Sequence, residues 1–223
     1  MDNNNDFEFK IPFSMCIVSR RNCGKTHLME YLTDHFLQNK LFDYVILFSE
    51  TAHLSGDFSE ILDKKCILSN FNEESIDKIC KFQEKQKKLK KDKQALIIID
   101  DSISCVGHSF QKLVNKLFSK GRHWNISIVL INQYIKNVVS TVVRSNIDYL
   151  LYSVNSTTVL EYLYELVIYD GSKKEFIKWS QDNTKDFQFI MYKNIHGGEF
   201  FFIKAPENLD LHKYKNNIKN IKR

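Results

Sequence analysis

Proline and glycine are scarce, at 2 and 7 of 223 residues, which excludes collagen-like repeats and long Gly- or Pro-rich linkers. The 5 cysteines, Cys16, Cys23, Cys66, Cys80 and Cys105, are odd in number and scattered, with no C-x-x-C pair and no histidine at zinc-like spacing. A disulfide framework and a structural zinc site are thereby excluded, and a reducing, intracellular setting is expected. No apolar run approaches the ~20 residues needed to cross a bilayer, so no membrane span is expected. Met1 to Lys10 is polar and acidic and lacks the basic flank and apolar core of a signal peptide.

What remains is the profile of an ordinary folded domain. Hydrophobic residues make up 43% and charged residues 26%, enough apolar material to fill a core without metals or disulfides. The net charge of +5, from 32 basic and 27 acidic residues, is too small to indicate nucleic-acid binding by itself.

Strand and helix patterns alternate along the chain. Phe13 to Val18, Tyr44 to Phe48, Ala95 to Ile99, Ile126 to Ile131 and Tyr149 to Val154 are apolar runs of strand length, with Cys66 to Leu68 a short addition. Between them, helical spacing marks the stretch from Gly24 to Gln38, then Glu73 to Lys91, Ser109 to Lys120 and Thr157 to Tyr169. Such alternation predicts an α/β fold with a mostly parallel central sheet flanked by helices. Near the end, Phe187 to Tyr192 and Glu199 to Lys204 flank Lys193 to Gly198 as the two strands of a C-terminal β-hairpin. The organisation expected is a flexible N-terminus over residues 1–10, one domain over 11–206 and a basic tail over 207–223.

Chemistry concentrates where the first strand meets the first helix. A phosphate loop needs backbone N–H groups curled around the anion, a lysine reaching its terminal oxygens and a hydroxyl for Mg²⁺ at a helix N-terminus. Gly24-Lys25-Thr26 supplies each part, preceded by Arg21, Asn22 and Cys23 and followed by His27. The first glycine of the usual pattern is replaced by Ser19. These residues are the expected nucleotide-binding set, with Thr26 also a metal ligand.

The strand Ala95 to Ile99 ends abruptly in Asp100-Asp101. ATP hydrolysis calls for one carboxylate near Mg²⁺ and often a second to polarise the attacking water. Asp100 suits the first role and Asp101 the second. Gln133 closes the next strand, where an amide can sense the terminal phosphate or orient water. An arginine that neutralises charge developing on that phosphate is often supplied by a neighbouring subunit. Arg144 and Arg122 are the two candidates, and spacing does not decide between them.

Five stretches taken together carry a family resemblance: Ile17 to Thr26, Ile98-Ile99-Asp100-Asp101, Gly121-Arg122-His123-Trp124-Asn125-Ile126-Ser127, Asn132-Gln133-Tyr134, and Arg144-Ser145-Asn146-Ile147-Asp148. The chain resembles the poxvirus-type DNA-packaging ATPases of large DNA viruses and virophages, members of the HerA/FtsK superfamily. The resemblance runs from about Phe13 to Tyr152. It implies a RecA-like core, assembly into a homo-oligomeric ring, ATP and Mg²⁺ as ligands, and movement of double-stranded DNA into a preformed capsid. It further implies a capsid or portal partner, a place at the site of virus assembly in the host cytoplasm or in the virion, and Arg144 as the finger. Many relatives carry Glu at the position of Asp101, one methylene longer.

Two basic segments have double readings. Lys85, Lys87, Lys88, Lys90, Lys91 and Lys93 lie in one stretch that either grips DNA phosphates or complements a helix dipole. The tail from His212 to Arg223 is either a DNA-binding extension or a frayed terminus. Two further functions stay open on the residues alone: a nucleoside or nucleotide kinase, and a nucleotide-binding assembly factor without turnover.

Overall fold

The computed structural model describes residues 8–100, 107–133, 139–195 and 197–209. In chain order the elements are β1 (Ser14–Val18), α1 (Lys25–Gln38), β2 (Tyr44–Ser49), α2 (Ala52–Ser55), β3 (Ile67–Leu68), α3 (Glu73–Lys88) and β4 (Ala95–Asp100). They continue with α4 (His108–Lys120), β5 (Ile126–Asn132), α5 (Thr141–Arg144), β6 (Tyr149–Tyr152), α6 (Thr157–Tyr164), α7 (Lys173–Asn183), β7 (Phe189–Lys193) and β8 (Glu199–Ile203). All eight strands form one sheet in the order β3-β2-β4-β5-β1-β6-β7-β8. The first six run parallel, and β7 and β8 complete the sheet as an antiparallel hairpin.

Strand alternation divides the core into two layers. Cys16, Val18, Ile97, Ile99, Ile128, Leu130, Leu150 and Tyr152 face one side, where α3 to α7 cover them. Met15, Ile17, Leu96, Ile98, Val129, Ile131, Tyr149 and Leu151 face the other, against Leu28, Met29, Leu32 and Phe36 of α1. Because both faces are covered, the central strands read as unbroken apolar runs instead of alternating ones.

Most expected elements appear with trimmed ends, each for a visible reason. Helix α3 stops at Lys88, and Lys90 beyond it has φ 54°. Helix α6 stops at Tyr164 and not at Tyr169; the chain then turns so that Ile168 N–H donates to Tyr192 Oη at 3.1 Å. Strand β7 begins at Phe189 and not at Phe187, because Asp186 and Phe187 both have positive φ. Helix α7 is absent from the sequence reading, yet it opens with a capping box between Ser172 and Glu175 and buries Phe176 and Ser180. At the start of the domain, Phe9 is buried against Phe13, Phe36 and Tyr149, ahead of the boundary expected at residue 11.

The hairpin is locked to the α3–α7 layer through Tyr192, which is 1% exposed. Gly198 lies at φ +82°, and a Cβ there would sit 2.2 Å from Tyr192 Oη. Gly198→Ala is therefore expected to lower stability by about 2–4 kcal/mol through combined left-handed strain and overpacking. Urea unfolding measures this; an unchanged midpoint would contradict the packing described.

Candidate functional site

The parallel arrangement brings the carboxyl ends of β1, β5 and β4 to one edge of the sheet, with β5 in the middle. At ~4.8 Å per strand spacing, β1 and β4 stand about 10 Å apart there. The loop of residues 19–24 springs from β1 and leads straight into α1, whose first residue is Lys25. Asn22 at φ 56° and Gly24 at φ +79° place two left-handed residues in that loop, curling it in front of the helix N-terminus. Curled backbone at a helix start gathers N–H groups into an anion-binding concavity, reinforced by the dipole.

The loop is held on both flanks. Ser19 N–H donates to Asn132 O of β5 at 3.3 Å, and Arg20 N–H donates to Val154 O beyond β6 at 3.2 Å. The buried amide of Asn155 donates to Val18 O at 3.1 Å and to Ser153 O at 2.8 Å. Lys25 Nζ reaches back across the loop to Ser19 O at 3.0 Å and Arg20 O at 2.7 Å. Ser19, at the position of the usual first glycine, is fully buried, and among the described residues its Oγ has no hydrogen-bond partner. The bracing by Ser153 to Asn155 escapes sequence reasoning, which runs the strand on to Val154, whereas β6 ends at Tyr152.

Alternation fixes where the acid points. Leu96 and Ile98 face the α1 layer, so Asp100, two residues further along β4, emerges on that same face. Extending the β4–β5 register past Ile99↔Leu130 sets Asp100 level with Ile131, which is level with Ile17 of β1. Asp100 is 8% exposed. Gln133 follows the end of β5 at the same edge. Asp101 lies outside the described residues.

Thus Lys25, Thr26, the loop residues Arg21 to Gly24, His27, Asp100 and Gln133 share one edge. Among the described residues no group of three or more His, Cys, Asp or Glu side chains is arranged to hold a metal. A site with one carboxylate and one hydroxyl suits Mg²⁺, which keeps several waters and takes other ligands from phosphate oxygens.

The two arginines lie elsewhere. Arg122, on the turn before β5, contacts both carboxylate oxygens of Asp148 at 2.8 and 2.9 Å. Asp148 in turn accepts from Ser14 N–H at 2.8 Å, at the amino end of β1. Burial pushes the Asp148 carboxyl above its ordinary range, opposed by the Ser14 N–H and by Arg122. The pair ties Gly121-Arg122-His123 to Arg144-Ser145-Asn146-Ile147-Asp148 at the end of the sheet opposite the loop. Arg144 ends α5 on the segment leading into β6 and donates to Glu165 O. Within one chain neither arginine joins the loop.

Of the lysine stretch, Lys87 donates to His123 O at 3.0 Å and Lys93 to Asp43 at 2.5 Å, while Lys85, Lys88, Lys90 and Lys91 are exposed. They too lie toward the amino end of the sheet, before β4. The tail from His212 lies outside the described residues. Cys16, Cys66 and Cys80 are buried, and burial pushes the Cys66 and Cys80 thiols up to about 11, leaving them poor nucleophiles.

A strand–loop–helix phosphate cradle facing an acid across one intervening parallel strand defines a P-loop NTPase fold. The chain belongs to the poxvirus A32 protein family, whose model matches residues 4–195. It is 26% identical over 136 residues to uncharacterized protein 015R of Frog virus 3 (60% of this chain, 41% of that one). It is 25% identical over 133 residues to uncharacterized protein 075L of Invertebrate iridescent virus 6 (59% and 50%). The matched segment thus spans half or less of those relatives. Among solved structures, the DNA-packaging ATPase B204 of Sulfolobus turreted icosahedral virus matches with a TM-score of 0.62 at 14% identity, over 89% of this chain and all of that one. The pCW3 conjugation coupling protein TcpA matches with a TM-score of 0.62 at 10% identity, over 87% of this chain and 61% of that one.

The Arg122–Asp148 pair is half-exposed on the arginine side and 14% exposed on the acid side. A double-mutant cycle of Arg122→Ala and Asp148→Asn is expected to return a coupling of about 1 kcal/mol in urea unfolding, the upper end for exposed pairs. A coupling near zero would deny Arg122 this structural role and return it to the list of candidate fingers.

Proposed function

We propose that this protein is an ATP-driven motor that moves double-stranded DNA into a viral capsid. One observation carries the reading: a braced phosphate loop and a buried strand-end acid occupy one sheet edge, separated by a strand that ends in Asn132 with Gln133 directly after it. Membership of the poxvirus A32 protein family supports it, as does a fold shared with genome-packaging NTPase B204 of Sulfolobus turreted icosahedral virus 2, solved with ATP-gammaS and with AMPPCP.

In this reading the loop N–H groups and Lys25 bind the β- and γ-phosphates. Thr26 Oγ1 and Asp100 would hold Mg²⁺, which supplies charge neutralisation on the phosphate oxygens as the terminal P–O bond breaks. Asp101 takes the proton of the attacking water as a new bond forms between the water oxygen and the γ-phosphorus and ADP leaves, and Gln133 orients the same water. When nucleotide binds, Lys25 Nζ exchanges its bonds to Ser19 O and Arg20 O for phosphate oxygens. Because Arg144 is remote from its own loop, the proposal places it in the site of the next copy in a ring. DNA is gripped through its phosphates, without sequence readout, so affinity falls steeply with salt. The work is done where virions assemble in the host cytoplasm, against a capsid or portal component.

The test is Mg²⁺-dependent ATP hydrolysis with and without double-stranded DNA. Wild-type turnover is expected to rise with DNA, and Lys25→Ala and Arg144→Ala each to lose about 100-fold or more. An equimolar mixture of the two variants should recover activity, since about a quarter of randomly formed interfaces then pair an intact loop with an intact finger. Binding of ATP without turnover would point to an assembly factor, and turnover only with a nucleoside acceptor to a kinase. Either result overturns the motor.

A further inference from the structure

The turn before β7 is built against its own chemistry. Gln188 N–H donates to Lys185 O at 3.0 Å, closing a tight turn whose two central residues, Asp186 and Phe187, have φ 53° and 61°. Turns with two left-handed central residues favour Asn-Gly, and a bulky side chain in that conformation is disfavoured. Burial does not explain the choice, because Phe187 is 61% exposed. Such an outlier is a pointer to function.

The ring lies against the phosphate loop. A Cβ on Gly24 would meet Phe187 Cδ1 at 3.2 Å, so the phenyl ring occupies the space where a side chain at this position would stand. Beyond the ring opens a cleft of about 290 Å³ whose other walls are His27 and Leu28 of α1 and the segment after β8, with Lys204, Ala205 and Glu207. That segment is tied down: His27 Nε2 donates to Pro206 O at 2.7 Å, a carbonyl that can only accept. The volume sits at the lower end of the ~300–1,000 Å³ of small-molecule sites.

We propose that this cleft takes the base and ribose of the nucleotide, with Phe187 as the stacking face and Lys204 and Glu207 at the polar rim. The inference rests on the nucleotide reading of the phosphate loop given above. With the phosphates fixed in front of α1, the rest of the ligand must leave the loop along one flank of the helix, and this cleft borders Gly24 on such a flank. A flat aromatic ring with one open face suits a flat aromatic ligand, and base–aromatic stacking is worth ~1–3 kcal/mol by alanine substitution, or about 5- to 150-fold in affinity.

Calorimetric titration of ATP and of inorganic tripolyphosphate into wild type, Phe187→Gly and Phe187→Trp separates the possibilities. Phe187→Gly should weaken ATP about 10-fold or more and leave tripolyphosphate within about twofold, while raising Tm by about 2–4 °C through relief of the left-handed strain. Phe187→Trp should bind ATP as well as wild type or better. Equal losses of ATP and tripolyphosphate with a lowered Tm would make Phe187 a brace of the loop and overturn the proposal, as would unchanged ATP affinity in Phe187→Gly. If wild type binds neither ligand, the nucleotide reading itself fails and takes this inference with it.

Discussion

The carboxyl edge of this sheet depends on β1 having a parallel partner on each side. With β5 on one flank and β6 on the other, the strand cannot shift without breaking two ladders, and the loop that follows inherits that rigidity. Ser19 hangs from β5 and Arg20 from Val154 just beyond β6, while Val18 O, the last carbonyl of the strand, accepts from both the Ser153 N–H and the Asn155 amide. A loop that must present its backbone to an anion cannot use those same groups for regular pairing. Anchoring it at its first two residues leaves the remainder to curl through Asn22 and Gly24 in front of α1.

The same sheet sets the reach of the site. Inserting β5 between β1 and β4 puts the loop and Asp100 about two strand spacings apart, room for phosphate oxygens and a hydrated cation. Side-chain alternation directs Asp100 onto the α1 face, the face that carries the helix opening with Lys25 and Thr26, although these residues lie far apart in the chain. Structural cations are kept at the other end: Arg122 is spent on Asp148, and Asp148 on the first residue of β1. That separation keeps Arg122 and Arg144 away from the loop of their own chain, which is why the motor reading brings the finger from a neighbour.

Much of this was legible in the residues. The apolar runs at Ala95 to Ile99 and Ile126 to Ile131 could only be buried central strands, and Gly24-Lys25-Thr26 after such a run marked a loop before a helix. Strand order was not legible, because hydrogen bonds between β1, β5 and β4 leave no trace in local periodicity. Neither was the role of Arg122, whose partner lies 26 positions away, nor that of Asn155, whose partner is 137 away. Helix α7 was missed although Ser172 and Glu175 carry a capping signal, since its polar residues dilute the apolar stripe. Phe187 looked like the first residue of a strand; only the backbone angles reveal that it turns instead.

In the motor reading the ends of β1, β5 and β4 form one metal–nucleotide site. The most direct measurement is ATP affinity as a function of Mg²⁺ in wild type and Asp100→Asn. Mg²⁺ is expected to tighten ATP binding in wild type, and Asp100→Asn to keep metal-free affinity within about twofold yet lose most of the Mg²⁺-dependent gain. An Asp100→Asn protein with the wild-type Mg²⁺ dependence would contradict it.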